Sequence, residues 1–278
     1  MVYTVLAFIG FEASLPLAEE TKDPRRTIPR AVILSCVLIG VFYLICYYGA
    51  IVYFGPDKAA DPTNGFFAFN GGDPWDGLAA KVWGPLSILV LLAIINSAFA
   101  NSNAGANAAT RVGYALARVG ILPRALASVH PRFKTPYVAV HVQGALGIAA
   151  ALILGFALSG PLNAFALLGT IATLIIVVIY ILTNLSNMVF YLREKRDEMN
   201  PLLNIVVPVL GIIIFIPVLI AAFGIDFGGL QIAALTAPAN AAPWIVLAWL
   251  AIGVIVFLYL RSRSPASIQE TAKTFLEG

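Results

Sequence analysis

One carboxylate stands where the sequence is otherwise built for hydrocarbon. Glu12 follows Val5-Leu6-Ala7-Phe8-Ile9-Gly10-Phe11 and precedes Ala13-Ser14-Leu15-Pro16-Leu17. An acid at membrane depth is costly, and where one persists it is a functional site by default. Gly10 and Pro16 flank it closely. Together they predict a helix that breaks inside the bilayer, which is tolerated only where the backbone lines protein or a cavity. The stretch then opens into a polar cluster, Glu19-Glu20-Thr21-Lys22-Asp23-Pro24-Arg25-Arg26-Thr27-Ile28-Pro29-Arg30. These charges read either as a solvated surface or as a latch in which Glu19 or Glu20 pairs with Arg25, Arg26 or Arg30.

A second group of polar residues lies in another apolar segment. Asn96, Ser97, Asn101, Ser102, Asn103 and Asn107 fall among alanines and a glycine. Small side chains let helices approach closely, and Ser and Asn bond across them. The run is either helix–helix contact or a face towards a polar cavity or ion position, with Asn101, Ser102 and Asn103 at its centre.

The elements that must hold these groups follow from composition. Of 278 residues, 60% are hydrophobic and 11% charged, and the mean hydropathy is +0.90. A soluble domain carries roughly 25% charged residues, so the chain is an integral membrane protein. Charged residues are missing from 31–56, 82–110, 135–192, 199–225 and 227–260. A span needs about 20 residues to cross about 30 Å of hydrocarbon. The run 135–192 is too long for one helix, and Ser159-Gly160-Pro161 divides it. Six full spans result: 31–54, 85–108, 137–158, 162–191, 202–224 and 243–260. Residues 2–20 make a seventh, short and broken. Pro29 is placed at the first turn of the second helix, and Pro208 and Pro217 are expected to bend the span 202–224.

Basic residues orient the spans. The segments 19–30, 111–136, 193–200 and 261–278 hold 15 of the 17 lysines and arginines. The segments 55–84, 159–161 and 225–242 hold Lys58 and Lys81. The first set is expected on the cytoplasmic side of the cell membrane, with 261–278 a poorly ordered cytoplasmic tail. The broken segment then descends from outside to inside. Phe66, Phe67, Phe69, Trp75 and Trp83 in the outer loop fit an interfacial aromatic belt, with room for a short surface helix. Within 111–136, Tyr114–Val119 and Arg124–Val129 read as two short amphipathic helices, and His130 as an interfacial turn.

Several function classes are excluded. There is no phosphate-binding glycine loop, no dinucleotide fingerprint and no metal-spaced Cys/His cluster. Two histidines do not support a nucleophilic triad, and Cys36 and Cys46 read as small apolar residues. The basic residues track one membrane side, which removes a nucleic-acid reading. No enzyme, cofactor or metal is expected.

The residues Phe8-Ile9-Gly10-Phe11-Glu12, followed by Leu17-Ala18-Glu19-Glu20-Thr21-Lys22-Asp23-Pro24-Arg25-Arg26-Thr27-Ile28-Pro29-Arg30-Ala31, resemble the sixth helix of the amino acid–polyamine–organocation permeases and the loop behind it. A second stretch, Arg111-Val112-Gly113-Tyr114-Ala115-Leu116-Ala117-Arg118-Val119-Gly120-Ile121-Leu122-Pro123 and then Val129-His130-Pro131-Arg132-Phe133-Lys134-Thr135-Pro136, resembles the segment after their eighth helix. The resemblance implies an all-α, leucine-transporter-like membrane fold. This chain would be its second inverted repeat, residues 1–191, with two further helices in 192–260. The first repeat would be missing and would be the chain's partner. Such repeats hold the substrate between them at the bilayer midplane.

By the same resemblance the activity is secondary transport of amino acids or polyamines, by proton symport or exchange. Ala7, Phe8, Ile9 and Gly10 would offer backbone groups to the substrate's ammonium, Phe11 would form a lid or pocket wall, and Glu12 would gate the site or couple it to protons. Leu6 and Ala7 stand where relatives often carry a large aromatic, which points to a small or aliphatic substrate. The competing expectation is a self-contained seven-span structural or receptor-like bundle.

Overall fold

Prolines and glycines set most of the helix boundaries in the computed structural model, which describes residues 2–15, 17, 21–61, 63–225 and 235–263. The described residues form helices: α1 Val2–Phe8, α2 Pro24–Phe54, α3 Pro56–Ala59, α4 Pro74–Trp83, α5 Ile88–Arg118, α6 Tyr137–Ala157, α7 Pro161–Arg193, α8 Val207–Ala222 and α9 Ala242–Arg263. Six stretches among them are long and apolar enough to cross a bilayer: Pro24–Phe54, Pro74–Arg118, Tyr137–Ala157, Pro161–Arg193, Leu202–Ala222 and Ala239–Ser262. At 1.5 Å per residue, α1 reaches only about 10 Å and spans nothing by itself.

Three local expectations need correction. α2 starts at Pro24, so Pro29 lies inside it rather than in its first turn. Asp23 adopts φ 53°, which stops any earlier helix, and Pro24 then occupies the first turn, where its missing N–H costs nothing. Arg25 and Arg26 are therefore helical. The second correction is Tyr114–Arg118, which forms the last turns of α5 instead of a separate surface helix. Gly120 at φ 81° sits just beyond the helix end. Arg124–Ala127 is a single short turn, not an amphipathic helix. The tail beyond Arg263 and the latch acids Glu19 and Glu20 lie outside the described residues.

The chain divides into two compact units. One comprises Met1–Ile9, Leu116–Arg124 and His141–Gly278. Its centre is α7. Leu167 and Leu174 of α7 pack with Ala222 of α8 and with Ala242 and Val246 of α9. Val2 of α1, Val177 of α7 and Val218 of α8 form a second cluster. Lipid tails are as apolar as leucine, so helices in a membrane associate through close packing rather than the hydrophobic effect. The buried residues suit that rule: Ala164, Gly169, Thr170 and Thr173 on α7 and Ala221 and Ala222 on α8. Thr170 and Thr173 satisfy their hydroxyls on Ala166 O and Gly169 O of the preceding turn, both at 2.7 Å.

α8 enters through a wide π turn, Leu202–Val206. Pro208 lacks the N–H that would meet Asn204 O in a regular ladder. Asn200 Oδ1 accepts the N–H groups of Leu202 and Leu203 and so caps the start. Asn204 Nδ2 reaches Asn187 Oδ1 of α7 at 3.5 Å.

The other unit comprises Gly10–Ala115 and Ala125–Val140. Between α2 and α5 the aromatic residues pack on one another, beyond what an interfacial belt asks. Phe66 is buried and meets Phe54 at 6.1 Å and Trp75 at 5.0 Å, ring centroid to centroid. Phe54 and Phe69 meet at 5.2 Å, and Lys81 Nζ lies 4.7 Å over the Phe69 ring. Gly77 of α4 allows this approach, since a Cβ there would fall 2.5 Å from Asn70 Cβ. In the segment before α6, His130 does sit in a turn. Its Nδ1 accepts from Arg132 N–H and Phe133 N–H at 3.2 Å each.

The loop after α3 is tied by Asp61. Its Oδ1 accepts from Thr63 Oγ1 and Thr63 N–H at 2.7 Å each and from Asn64 N–H at 3.0 Å. The Thr63 hydroxyl, then the two N–H groups, hold the carboxyl below its ordinary 3.8. A depressed acid stabilises the folded turn above its unfolded pKa, and that contribution is lost as pH falls through the folded value. The turn therefore has this support at neutral pH and loses it as pH falls below the ordinary carboxylate range. Asp61→Ala is expected to speed hydrogen exchange at Thr63 and Asn64 at pH 7 relative to the parent. Equal protection in parent and variant would remove the turn's role.

Candidate functional site

The site begins where α1 stops. Helical hydrogen bonding gives way to tighter turns: Ile9 N–H donates to Leu6 O at 3.2 Å, Ala13 N–H to Gly10 O at 3.0 Å, and Leu15 N–H to Glu12 O at 2.8 Å. Gly10 lies between them at φ 116°. That backbone conformation favours glycine, because an L side chain strains it. Nothing stands within 4 Å of where a Cβ would be, so the requirement is conformational and not steric.

Glu12 closes the break. Its Oε2 accepts the Gly10 N–H at 3.0 Å, so the carboxylate folds back on the backbone that the helix abandoned. The bond couples two properties of one segment. A charge change on the carboxyl alters a hydrogen bond that holds the break, since an ionised acid accepts more strongly than a neutral one. Ser14, two residues on, has a hydroxyl shielded from solvent with no hydrogen-bond partner among the described residues. Sequence reading did not select it, and an isolated serine gives no signal.

The other expected residues are placed as follows. Ala7 and Phe8 form the last turn of α1 and, like Ile9, are half-buried. Phe11 and Glu12 are half-buried and Gly10 is exposed. Asn101, Ser102 and Asn103 are exposed on α5. Asn101 Nδ2 bonds Ser97 Oγ at 3.4 Å along its own helix. At about 100° per residue, Asn96, Asn103 and Asn107 fall on one line of α5, and Ser102 faces elsewhere. Arg25 and Arg26 are exposed in the first turn of α2. Among the described residues no group of three His, Cys, Asp or Glu side chains is placed to hold a metal.

Six long apolar helices and a short helix broken at a glycine and a carboxylate define an all-α, multi-pass membrane protein. The amino acid permease family profile matches residues 1–261, and the chain belongs to that family. The branched-chain amino acid permease BcaP of Bacillus subtilis is 28% identical over 195 residues, 69% of this chain and 37% of its own length. The methylthioribose transporter of the same organism is 28% identical over 267 residues, 93% of this chain and 49% of its own. The low-affinity putrescine importer PlaP of Escherichia coli is 28% identical over 199 residues, 69% and 39% respectively. The chain thus spans about half or less of the length of these relatives, which are permeases and transporters and not enzymes. No solved structure matches the chain.

Proposed function

We propose that this chain forms part of a secondary active amino acid transporter, and that residues 7–12 are its half of the substrate site. The observation that carries the reading is the break itself: Gly10 at φ 116° with its N–H held by Glu12. A helix end turned towards the bilayer midplane presents carbonyl groups to a cation, which suits a substrate ammonium. Ala7, Phe8, Ile9 and Gly10 contribute backbone, Phe11 a wall or lid, and Glu12 the gate or proton-coupling carboxylate.

In this reading residues 1–191 are the second inverted repeat, followed by two additional helices, and the first repeat supplies the facing wall. Segments 19–30, 111–136, 193–200 and the C-terminal tail face the cytoplasm at the cell membrane, by their share of basic residues. Of Asn101, Ser102 and Asn103, Asn103 shares its line of α5 with Asn96 and Asn107, and that line faces a polar cavity or ion position, because exposed amides in lipid are costly. Named substrates of the relatives include branched-chain amino acids and putrescine, so an amino acid or polyamine is the expected substrate, and proton symport or exchange is the mode that the family resemblance implies. The seven residues of α1 are too few for an independent span.

A substrate panel tests this. The protein as its gene encodes it, in proteoliposomes, is expected to take up at least one radiolabelled amino acid or putrescine, faster with an inward proton gradient or with counter-substrate inside. The 278-residue chain alone is expected to take up none. Absence of uptake across the panel by the encoded protein would end the reading, and robust uptake by this chain alone would end the half-site assignment.

A further inference from the structure

α7 carries one glycine in its 33 residues. A glycine in a helix interior costs about 1 kcal/mol relative to alanine, and Gly169 shows no left-handed φ to require it. Packing against Leu6 favours it. A Cβ at Gly169 would stand 2.9 Å from Leu6 Cδ2, the tip of a flexible side chain, so Leu6 would have to leave its present place on α7. The surrounding face is already fixed. Thr170 and Thr173 are 0% exposed and spend their hydroxyls on their own helix. One turn before Leu6, Val2 is seated between Val177 and Val218. So α1 rests on α7 at two places, and the second lies immediately before Ala7-Phe8-Ile9.

We propose that Gly169 is a positioning residue for substrate binding: it lets Leu6 close onto the α7 backbone and so fixes where Ala7–Ile9 present their main chain. This rests on the reading of residues 7–11 as substrate-binding. Gly169 touches no substrate. It acts through Leu6, and Leu6, Ala7–Ile9 and Gly169 belong to one compact unit.

The test uses the encoded protein in proteoliposomes with the amino acid that the panel transports fastest, radiolabelled L-leucine in the first instance. Gly169→Ala is expected to raise KM about tenfold while kcat stays within about twofold, because Leu6 must leave its seat on α7 and the α1 end loses that support. Leu6→Ala in that background vacates the space and is expected to return KM towards the parent value. Melting temperature, read alongside, separates position from stability. A lowered melting temperature with unchanged KM, or no rescue by Leu6→Ala, overturns the proposal. If KM is unchanged in Gly169→Ala but rises in Gly10→Ala, the substrate site stands and the positioning role falls. If KM is unchanged in both, the substrate site falls and takes the positioning role with it.

Discussion

Glu12→Gln is expected to separate binding from coupling. The amide oxygen of glutamine still accepts a hydrogen bond, so the Gly10 N–H keeps its partner at the 3.0 Å seen for the carboxylate. The break therefore survives and substrate affinity changes little. A glutamine cannot take up a proton, so accumulation driven by an imposed proton gradient is expected to fall by roughly 5- to 150-fold, the span of ordinary coupling free energies. Glu12→Ala removes both the proposed proton carrier and the acceptor of the Gly10 N–H, and is expected to lose affinity as well as coupling. The measurement is uptake with and without a proton gradient, set beside equilibrium binding of the same radiolabelled amino acid. Unchanged gradient-driven kinetics in Glu12→Gln would remove Glu12 from coupling. A fall in affinity as large in the glutamine variant as in the alanine variant would show that the hydrogen bond to Gly10 was not what held the break.

Gly10→Ala is expected to cost nearly as much as Gly10→Val. The reasoning turns on which constraint glycine meets. At φ 116° any L residue is strained, at a cost of about 1–3 kcal/mol. No atom lies within 4 Å of the added Cβ, so the backbone conformation and not contact at Cβ sets the main cost. Both variants should lower substrate affinity by about tenfold to a hundredfold, the same energy expressed as binding, while the amount of protein in the membrane stays near the parent level. Gly169 behaves in the opposite way. Its limit is Leu6 Cδ2 at 2.9 Å, so its cost rises with side-chain size and Leu6→Ala relieves it. A graded loss along Gly10→Ala and Gly10→Val would show that the site around Gly10 is sterically closed in the working protein.

Much of the architecture is legible because the bilayer imposes it. Uncharged runs longer than about 20 residues can do little else than span, and Ser159-Gly160-Pro161 divided the longest run where α6 ends and α7 begins. Helix ends were harder. The start of α2 at Pro24 follows from a left-handed Asp23, and an aspartate can cap a helix or end one, so its type alone does not decide. The continuation of α5 to Arg118 runs past Arg111. A charge marks where lipid ends, not where a helix must, because the helix is free to continue into water. The outer aromatics looked like membrane anchors from composition. Their mutual packing around Phe66 needed the turn at Asn70, φ 52°, which brings residues distant in sequence together.

The candidate site divides in the same way. The sequence by itself determined the six long apolar spans, the marked glycine and acid at 10 and 12, and the family, since each rests on residue type and order. It could not show that Glu12 folds back onto the Gly10 N–H, nor that Asn101 bonds along its own helix. It also gave no reason for the single glycine of α7. Only the tertiary structure decided that Leu6 occupies the space above Gly169. Residue order fixes what a side chain can do. Which groups meet depends on how helices far apart in the chain pack, and in a membrane that packing is settled by ångström-scale fit rather than by hydrophobicity.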